Sequence, residues 1–329
     1  MIDLLHIGFG KCLSSTFQEI VFQSPTANLF KPIGIITEIN KIIEKNYEKN
    51  DNLVENLRLF CGRTENYDWD ACFKDGKNAK VLSSEGYTFS FINEPHLADF
   101  ILLKQKILSE IMRGKVKKVF IIVRSPSDLI RSIYVQSIKE GGSCSSIGEY
   151  IKTHRKVLLN SMNLKQTKMY WEDQGVEVII LPMELFIKNQ SDFMFRLSSA
   201  SNIKFNHNIA GIHLNKSQSA RISSHVSFNR ISDSIIKWAK GISVDTDAVF
   251  ALEKYKLLFR GFIDGADHDN FQEVENLFIQ NDVFHDYKID EGMLRYLTEN
   301  YIEVLEDYFS GEFVEIIEKY KNNISLKLN

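Results

Sequence analysis

The stretch from Ile2 to Thr16 constrains the fold most, because it combines a strand, a glycine turn and the start of a helix. Residues 2–7 form an apolar run, two glycines follow, and Phe17, Ile20 and Val21 then recur at helical spacing. The first turn of a helix leaves backbone N–H groups unpaired, and the helix dipole favours negative charge there. This arrangement predicts an α/β fold with an anion site, and the anion expected there is a phosphate.

The position of the lysine in this loop indicates which kind of phosphate site it is. A nucleoside-triphosphate loop of the form G-x-x-x-x-G-K-[ST] has its lysine after the second glycine, followed by a hydroxyl that holds magnesium. Here Lys11 directly follows Gly10 and lies three residues after Gly8, so the spacing differs from that type. Further hydrogen-bond donors come from the hydroxyl side chains of Ser14, Ser15 and Thr16.

Length and composition narrow the class of protein. A chain of 329 residues with 44% hydrophobic content fits one large α/β domain with additions, or two small domains. The net charge of −3 and the lack of a Lys/Arg run mixed with aromatics argue against a nucleic-acid groove. The chain has no apolar run of about 18 residues and no signal-peptide pattern at its start. We therefore expect a cytoplasmic protein without a transmembrane segment.

Cysteine and histidine patterns argue against a metal site. The four cysteines are widely spread without a C-x-x-C pair, which indicates reduced thiols. Cys12 lies inside the loop, where a helix N-terminus could lower its pKa, although a small packed residue is the simpler reading. The eight histidines show no H-E-x-x-H spacing, and His6 on its apolar strand reads as a core residue.

A carboxylate marks the end of the next predicted strand. Residues 79–84 form this strand, and Glu85 and Gly86 follow it. Open α/β sheets bind ligands at the carboxyl ends of their strands, so Glu85 lies where a general base would be needed. An exposed glutamate before a glycine turn is the alternative. Residues 25–78, just before the strand, form a helical insertion that either shapes an acceptor site or buries its aromatic residues.

A second strand-to-helix junction lies further along the chain. The run from residue 116 to 123 reads as a buried strand, and Arg124 comes directly after it. Ser125 suits the N-cap of the following helix, and Pro126 suits its first position. Ser132 lies off the apolar stripe of that helix, so it is either a ligand-binding residue or a solvated surface serine.

The two junctions together resemble those of sulfotransferases that use 3′-phosphoadenosine 5′-phosphosulfate (PAPS), of the bacterial and carbohydrate-directed type. Those enzymes carry a loop of the form G-x-x-K-x-x-[ST]-[ST] after the first strand. They also carry a 3′-phosphate signature of a buried strand, Arg, then Pro and Ser on the next helix. This chain has the loop at residues 8–15 and the signature at Arg124, Pro126 and Ser132, and the resemblance covers roughly residues 1–220.

The resemblance implies a fold and a reaction. The fold is a three-layer, P-loop-like α/β core with a mostly parallel central sheet in residues 1–218, and a helical C-terminal extension packed on it in residues 219–329. The reaction is transfer of a sulfuryl group from PAPS to an acceptor hydroxyl or amine, without a metal, which releases 3′-phosphoadenosine 5′-phosphate. The R-K-G-x-x-G-D-W loop, which binds the cofactor in the cytosolic animal enzymes, is absent. The sequence therefore does not identify the residues that would replace this loop at the adenine and the 3′-phosphate.

The resemblance also implies roles for individual residues. Lys11 would contact the bridging oxygen and the leaving 5′-phosphate, while Arg124 and Ser132 would grip the 3′-phosphate. Glu85 is the expected general base, and His96 is the reserve candidate. A segment at residues 213–217 resembles the Asn-x-Ser segment that returns to the cofactor in bacterial members. The expected cofactor-binding set is Gly10, Lys11, Cys12, Leu13, Ser14, Ser15, Thr16, Arg124, Ser132, Asn215, Lys216 and Ser217.

Other functions and several acceptors stay open. A P-loop small-molecule kinase would use ATP with magnesium, but its lysine spacing and strand-end aspartate are absent. A non-catalytic descendant would bind the nucleotide as a sensor or scaffold. The preferred acceptor is a sugar hydroxyl on a glycan or glycolipid, because the C-terminal helices resemble those of carbohydrate-directed relatives, and a small metabolite or phenol comes second. The Ile, Lys and Asn content indicates a bacterial source, and the oligomeric state is open.

Overall fold

The computed structural model describes residues 1–9, 12–47, 52–65, 67–73, 78–88, 94–139, 145–205, 229–230, 232–233 and 289–325. The chain divides into two compact units. The first comprises Met1–Leu129, Lys156–Leu214 and Ile289–Asn329, and the second comprises Ile130–Arg155 and Asn215–Lys288. Five predicted site residues lie outside the described residues: Gly10, Lys11, Asn215, Lys216 and Ser217. The predicted boundary after residue 218 lies outside them too.

A five-stranded, all-parallel sheet forms the centre of the first unit. Its strands are β1 (Leu4–His6), β2 (Ala27–Phe30), β3 (Ala79–Ser83), β4 (Lys118–Val123) and β5 (Glu177–Pro182). They lie in the order β2-β3-β1-β4-β5. This confirms the predicted α/β class with a parallel central sheet. It also shows that β1, the strand before the glycine loop, lies in the middle of the sheet.

Burial explains why these segments form strands. All five residues from Val119 to Val123 in β4 are buried, and so are the three residues of β1. Successive side chains of a strand point to opposite faces, so a strand that is buried throughout must be covered on both faces. That pattern is typical of a three-layer α/β fold. On one face, His6 and Phe120 pack against Phe17, with ring centroids 5.9 Å and 5.8 Å from the Phe17 ring.

Helices connect and cover the strands. Their bounds are α1 (Ser14–Thr16), α2 (Ile33–Tyr47), α3 (Leu53–Glu65), α4 (Phe100–Ile111), α5 (Pro126–Lys139), α6 (Ile147–Ser161), α7 (Leu164–Glu172), α8 (Met183–Lys188), α9 (Gln190–Ser201), α10 (Glu291–Leu297), α11 (Glu303–Phe309) and α12 (Val314–Ser325). A π-helical turn, Phe17–Val21, continues α1, and another, Thr298–Ile302, joins α10 to α11. Within the described residues, no helix is long and apolar enough to cross a membrane.

Three elements differ from the sequence-based expectation. Strand β2 was not predicted; within the described part of the chain its four residues pair with β3, and Asn28 leaves them little hydrophobic pattern. The apolar spacing from residue 95 to 113 predicts one continuous helix, whereas the structure has a separate 3₁₀ turn, Pro95–Leu97, before α4. Helix α7 was not predicted; it begins after Asn163, whose side chain caps it by accepting a hydrogen bond from Gln166 N at 2.9 Å.

The second unit contains the distal part of α5. There, Tyr134 Oη donates to the Ser145 carbonyl at 2.7 Å, and Asn229 Nδ2 donates to the Ile138 carbonyl at 3.1 Å. The rings of Tyr150 and His154 stack at a centroid distance of 4.2 Å. Burial lowers the pKa of His154. These contacts fix the end of α5 and the start of α6 within this unit.

Candidate active site

Three neighbouring strands end at one edge of the sheet in the first unit. The His6 carbonyl at the end of β1 accepts from Ser84 N at 3.1 Å, and Ile7 N donates to the Phe120 carbonyl at 3.0 Å. The chain runs from β1 to β2 and β3 on one side and to β4 and β5 on the other. Such a switch in strand order leaves a crevice at the carboxyl ends, which is where α/β proteins bind ligands.

The loop after β1 is shaped closely around Gly8. A Cβ atom at this position would lie 2.6 Å from Ser14 Oγ, so any other residue here would displace the Ser14 side chain. The Gly8 carbonyl accepts a hydrogen bond from Thr88 Oγ1, which ties the loop to the segment after β3. Leu13 has a φ of 64°, a left-handed conformation that is strained for leucine. Strain of this kind is found where a loop is held for binding.

The helix that follows this loop begins without a side-chain cap. Leu13 occupies the N-cap position and makes no capping hydrogen bond. Ser14 is buried, and its Oγ has no hydrogen-bond partner among the described residues. The buried Ser14 hydroxyl and the backbone N–H groups of an uncapped first turn need hydrogen-bond acceptors, and an anion would supply them. The loop therefore fits the phosphate group that the sequence predicts, and Ser15 and Thr16 lie in the same first turn.

The helix then widens into the π-helical turn. Phe22 N donates to the Phe17 carbonyl at 2.8 Å, a five-residue step. This wider turn buries Phe17, Val21 and Phe22 but leaves Ile20 42% exposed. The predicted inward position of Ile20 is therefore wrong, because it assumed an α-helical step. Turns of this type occur frequently at functional sites.

Tyr301 holds Arg124 by its backbone. The Tyr301 hydroxyl accepts from Arg124 N at 3.0 Å and donates to the Arg124 carbonyl at 2.7 Å. Its ring lies 5.9 Å from the ring of Phe9 in the β1 loop. One buried tyrosine thus contacts both of the predicted phosphate-binding segments, and burial raises its pKa.

A buried carboxylate lies beside the same segment. Glu184, just after β5, accepts from Ser125 N at 3.3 Å and from the Tyr320 hydroxyl. Burial raises the pKa of Glu184, while the Tyr320 hydrogen bond and the Arg124 charge act in the opposite direction. Helix α12 adds a further tie, because Ser127 Oγ donates to the Asn323 carbonyl at 3.1 Å.

Cys12 lies among the charges of this edge. Burial raises the pKa of its thiol, the Arg124 charge lowers it, and the charges of Glu184 and Glu85 raise it further. The thiol therefore stays protonated at neutral pH, which favours the reading of Cys12 as a packed residue over a reactive thiolate. The same interactions show that Arg124, Glu184 and Glu85 converge on the β1 loop.

Glu85 begins a 3₁₀ turn, Glu85–Tyr87, after β3. Ser84 Oγ caps this turn by accepting from Gly86 N at 3.1 Å. A Cβ at Gly86 would lie 2.8 Å from Cγ2 of Ile36, so α2 of the helical insertion packs directly on the turn that carries Glu85. His96 has an exposed side chain on a separate 3₁₀ turn, Pro95–Leu97, with Nδ1 3.5 Å from Glu94 Oε2. The roles of Glu85 and His96 stay predictions.

Ser132 belongs to the second unit, whereas Arg124 belongs to the first. On α5, Ile130, Ile133 and Tyr134 are buried, while Ser132 is half-buried. This agrees with its predicted position off the apolar stripe. Its contact with a 3′-phosphate stays a prediction.

A groove runs between α2 and α3 in the insertion. It has a volume of about 260 Å³, and Lys41, Lys45 and Arg63 line it together with Glu38. Its floor includes a hydrogen bond between the two helices, in which Asn56 Nδ2 donates to Asn46 Oδ1 at 2.9 Å. The cations outnumber the carboxylate among these lining residues, so the groove favours negatively charged groups.

Several site residues were missed by sequence reasoning. Thr88, Glu184 and Tyr301 all support the edge where the three strands end. Glu184 carries a signal that could have been used, because it follows a buried strand as Glu85 does. The spacing of Leu297, Tyr301 and Leu305 predicts a core position for Tyr301 on a C-terminal helix, but its hydroxyl contact with Arg124 has no local sequence signal. Among the described residues, no group of three or more His, Cys, Asp or Glu side chains could hold a metal ion.

Comparison with known proteins identifies a similarity to one solved structure. The chain is similar to a sulfotransferase from Alicyclobacillus acidocaldarius, with 14% sequence identity and a TM-score of 0.40, over 76% of this chain and 98% of that chain. No family model and no curated protein matches the chain. A likeness this distant establishes no activity, so the function proposed below rests on residues of this chain.

Proposed function

We propose that this protein transfers a sulfuryl group from PAPS to a hydroxyl or amine of an acceptor. The observation that supports this best is the convergence of the β1 loop, Glu85 and Arg124 at the carboxyl ends of three adjacent strands. Tyr301 contacts both the loop and Arg124. The two motifs that resemble PAPS-binding segments therefore occupy one edge, as a single bisphosphorylated nucleotide requires.

The residues fit the two phosphate groups of such a ligand. The uncapped first turn at Ser14, Ser15 and Thr16 suits the 5′-phosphate, and Lys11 would add a positive charge to it. The planar guanidinium of Arg124 suits the 3′-phosphate, and the contact of Ser132 with that phosphate stays a prediction. Glu184 beside this segment helps to hold Ser125 in place.

The chain would assist transfer by orienting the acceptor and stabilising charge. PAPS supplies an activated sulfuryl group whose leaving group is a phosphate. Lys11 and the loop N–H groups would stabilise the negative charge that develops on that phosphate, as preorganised donors do in other transferases. Glu85 would accept the proton of the acceptor hydroxyl. These donors act without a metal ion.

The insertion is the proposed acceptor side of the site. Its helix α2 packs on the turn that carries Glu85 through the Ile36 contact with Gly86. The positively charged groove between α2 and α3 favours an acceptor that carries a carboxylate or another anionic group near its reacting hydroxyl. Among the acceptors considered, an acidic glycan combines a sugar hydroxyl with this charge.

Release of 3′-phosphoadenosine 5′-phosphate from PAPS tests this proposal. The purified protein would be incubated with PAPS in EDTA and a panel of acidic glycans, neutral glycans and phenols, and the nucleotide product resolved by anion exchange. Acceptor-dependent release supports sulfotransfer. Nucleotide binding without release on any acceptor favours a sensor or scaffold. Magnesium-dependent consumption of ATP favours a kinase.

A further inference from the structure

His6 sits in an aromatic cluster, yet both of its ring nitrogens are placed for hydrogen bonding. The residue is fully buried, and its ring lies 5.4 Å from the rings of Phe22 and Phe120. Its Nδ1 lies 2.8 Å from Ser83 Oγ. Phenylalanine would fill such a space at no polar cost, whereas a buried polar group without partners is destabilising. The polar atoms of His6 therefore need an explanation beyond packing.

The hydrogen bonds around Ser83 determine where the proton of His6 lies. Gln18 Nε2 donates to Ser83 Oγ at 3.0 Å. Within the described part of the chain, His6 Nδ1 is then the acceptor for the buried Ser83 hydroxyl proton. If Nδ1 carried the proton instead, the buried Ser83 hydroxyl proton would be left unpaired, which is destabilising. Burial lowers the pKa of His6 to about 3, so the ring is neutral and its proton lies on Nε2.

Nε2 of His6 faces the hydroxyl of Ser14 across Gly8. The position that a Gly8 Cβ would occupy lies 3.3 Å from His6 Nε2 and 2.6 Å from Ser14 Oγ. Neither atom has a hydrogen-bond partner among the described residues, and both side chains are at least nine-tenths buried. A donor and an acceptor that both lack partners thus border the same small space beneath the phosphate loop.

We infer that His6 is a positioning residue that sets the direction of the Ser14 hydroxyl. Donation runs in one direction, from Gln18 to Ser83, from Ser83 to His6, and from His6 Nε2 to Ser14 Oγ through one water molecule. Once Ser14 Oγ accepts a hydrogen bond from below, its own proton points toward the loop. Ser14 then acts as a donor to a fully ionised anion. This inference rests on the proposed function only in that the anion is a nucleotide 5′-phosphate.

Nitrogen NMR tests the relay without any ligand. Proton–nitrogen correlation spectra of the free protein distinguish the two neutral forms of a histidine ring, and His6→Phe assigns the signal. The expected result is a neutral His6 ring with its proton on Nε2 at every pH near neutrality at which the protein is folded. A proton on Nδ1, or a charged ring, would overturn the inference. This readout is independent of whether the protein is a sulfotransferase.

Binding measurements test the consequence for the loop. By isothermal titration, His6→Phe is expected to weaken binding of 3′-phosphoadenosine 5′-phosphate about tenfold, the effect of one lost hydrogen bond to a charged group. Adenosine 3′-phosphate, which lacks the 5′-phosphate, should bind the variant as it binds the wild type. His6→Gln places an amide N–H near the Nε2 position and should recover most of the affinity.

The outcomes separate this inference from the proposed function. Unchanged affinity in His6→Phe, or equal weakening for both nucleotides, would overturn the positioning role. Ser83→Ala provides a second test if His6→Phe fails to fold, because it frees Nδ1 to carry the proton and should also weaken 5′-phosphate binding. A wild-type protein that binds neither nucleotide would refute the proposed function, while the NMR result would still decide whether the relay exists.

Discussion

The two phosphate-binding segments are built in different ways. The β1 loop is shaped mainly by nearby residues, since Gly8, Leu13 and Ser14 lie within a few positions of one another. Arg124 is instead held by residues far along the chain, through Tyr301 and the Glu184 contact with Ser125. The first kind of site depends on backbone shape, whereas the second depends on side chains brought by the C-terminal helices. Substitutions should therefore affect the two segments differently.

The largest effect is expected from Gly8→Ala. The added Cβ would lie 2.6 Å from Ser14 Oγ, so the buried Ser14 side chain must leave the position in which it would face the anion. We expect loss of detectable 3′-phosphoadenosine 5′-phosphate binding, with a fall of about 1–3 kcal/mol in the free energy of unfolding. Isothermal titration and urea denaturation measure the two. Gly34→Ala is the matched control, because a Cβ there meets nothing within 4 Å and should leave binding intact. Normal binding by Gly8→Ala would show that the loop shape is not needed.

Arg124→Ala should produce the next largest effect, and it should be specific to one phosphate. Loss of a charged hydrogen-bond donor is expected to weaken 3′-phosphoadenosine 5′-phosphate binding about 10- to 100-fold. Adenosine 5′-phosphate should bind almost as before. Arg58→Ala, at an exposed arginine on α3, is the control and should change neither affinity. An equal loss for both nucleotides would remove Arg124 from the 3′-phosphate site.

Tyr301→Phe tests whether distant support matters for Arg124. The substitution removes two backbone hydrogen bonds and should lower the free energy of unfolding by about 1–3 kcal/mol. It should also weaken 3′-phosphate binding, but less than Arg124→Ala. Tyr308→Phe is a close control, because the Tyr308 hydroxyl also contacts backbone on both sides, accepting from Ile180 N at 3.0 Å and donating to the Val178 carbonyl at 3.2 Å. Equal effects of the two variants on binding would contradict the role of Tyr301.

The smallest effect is a pH dependence at Glu184. Its pKa is raised in the folded protein, so the folded state binds the proton more tightly than the unfolded state. Protonated Glu184 therefore stabilises the folded state fully below pH 4.5, its ordinary pKa. This stabilisation is lost as the pH rises from 4.5 through the raised pKa of the folded protein. Urea denaturation should show wild type losing stability relative to Glu184→Gln over this range. A constant difference between the two proteins would contradict the raised pKa.

The same contrast explains what sequence reasoning could predict. The strand, glycine loop and helix start are encoded locally by residues 2–16, and the central parallel sheet follows from apolar runs such as residues 118–123. The π-helical turn was missed because the sequence pattern was read with α-helical spacing, which places Ile20 in the interior. The wider turn buries Phe22 there and leaves Ile20 exposed. Strand β2 was missed because four residues at a sheet edge have little hydrophobic pattern.

Side-chain partners across long sequence separations could not be predicted. Tyr301 and Arg124 are separated by 177 positions, and no periodicity in either helix or strand relates them. His6 was expected to be a core residue, and it is fully buried. Its hydrogen bond with Ser83, however, depends on the register between β1 and β3, which only the folded sheet reveals. Local motifs in the sequence can therefore indicate which residues bind a ligand. The distant residues that hold them in place become evident only in the folded structure.

Thermal stabilisation by nucleotides provides the most direct test of the phosphate sites. The melting temperature would be measured with 3′-phosphoadenosine 5′-phosphate, ADP or ATP, each with EDTA or with magnesium. A ligand at about a hundred times its dissociation constant adds roughly 2.7 kcal/mol of stability, which is readily measured as a melting shift. We predict a shift in EDTA that is largest for the nucleotide with the 3′-phosphate. A shift seen only with ATP and magnesium would contradict sulfotransfer and indicate a kinase.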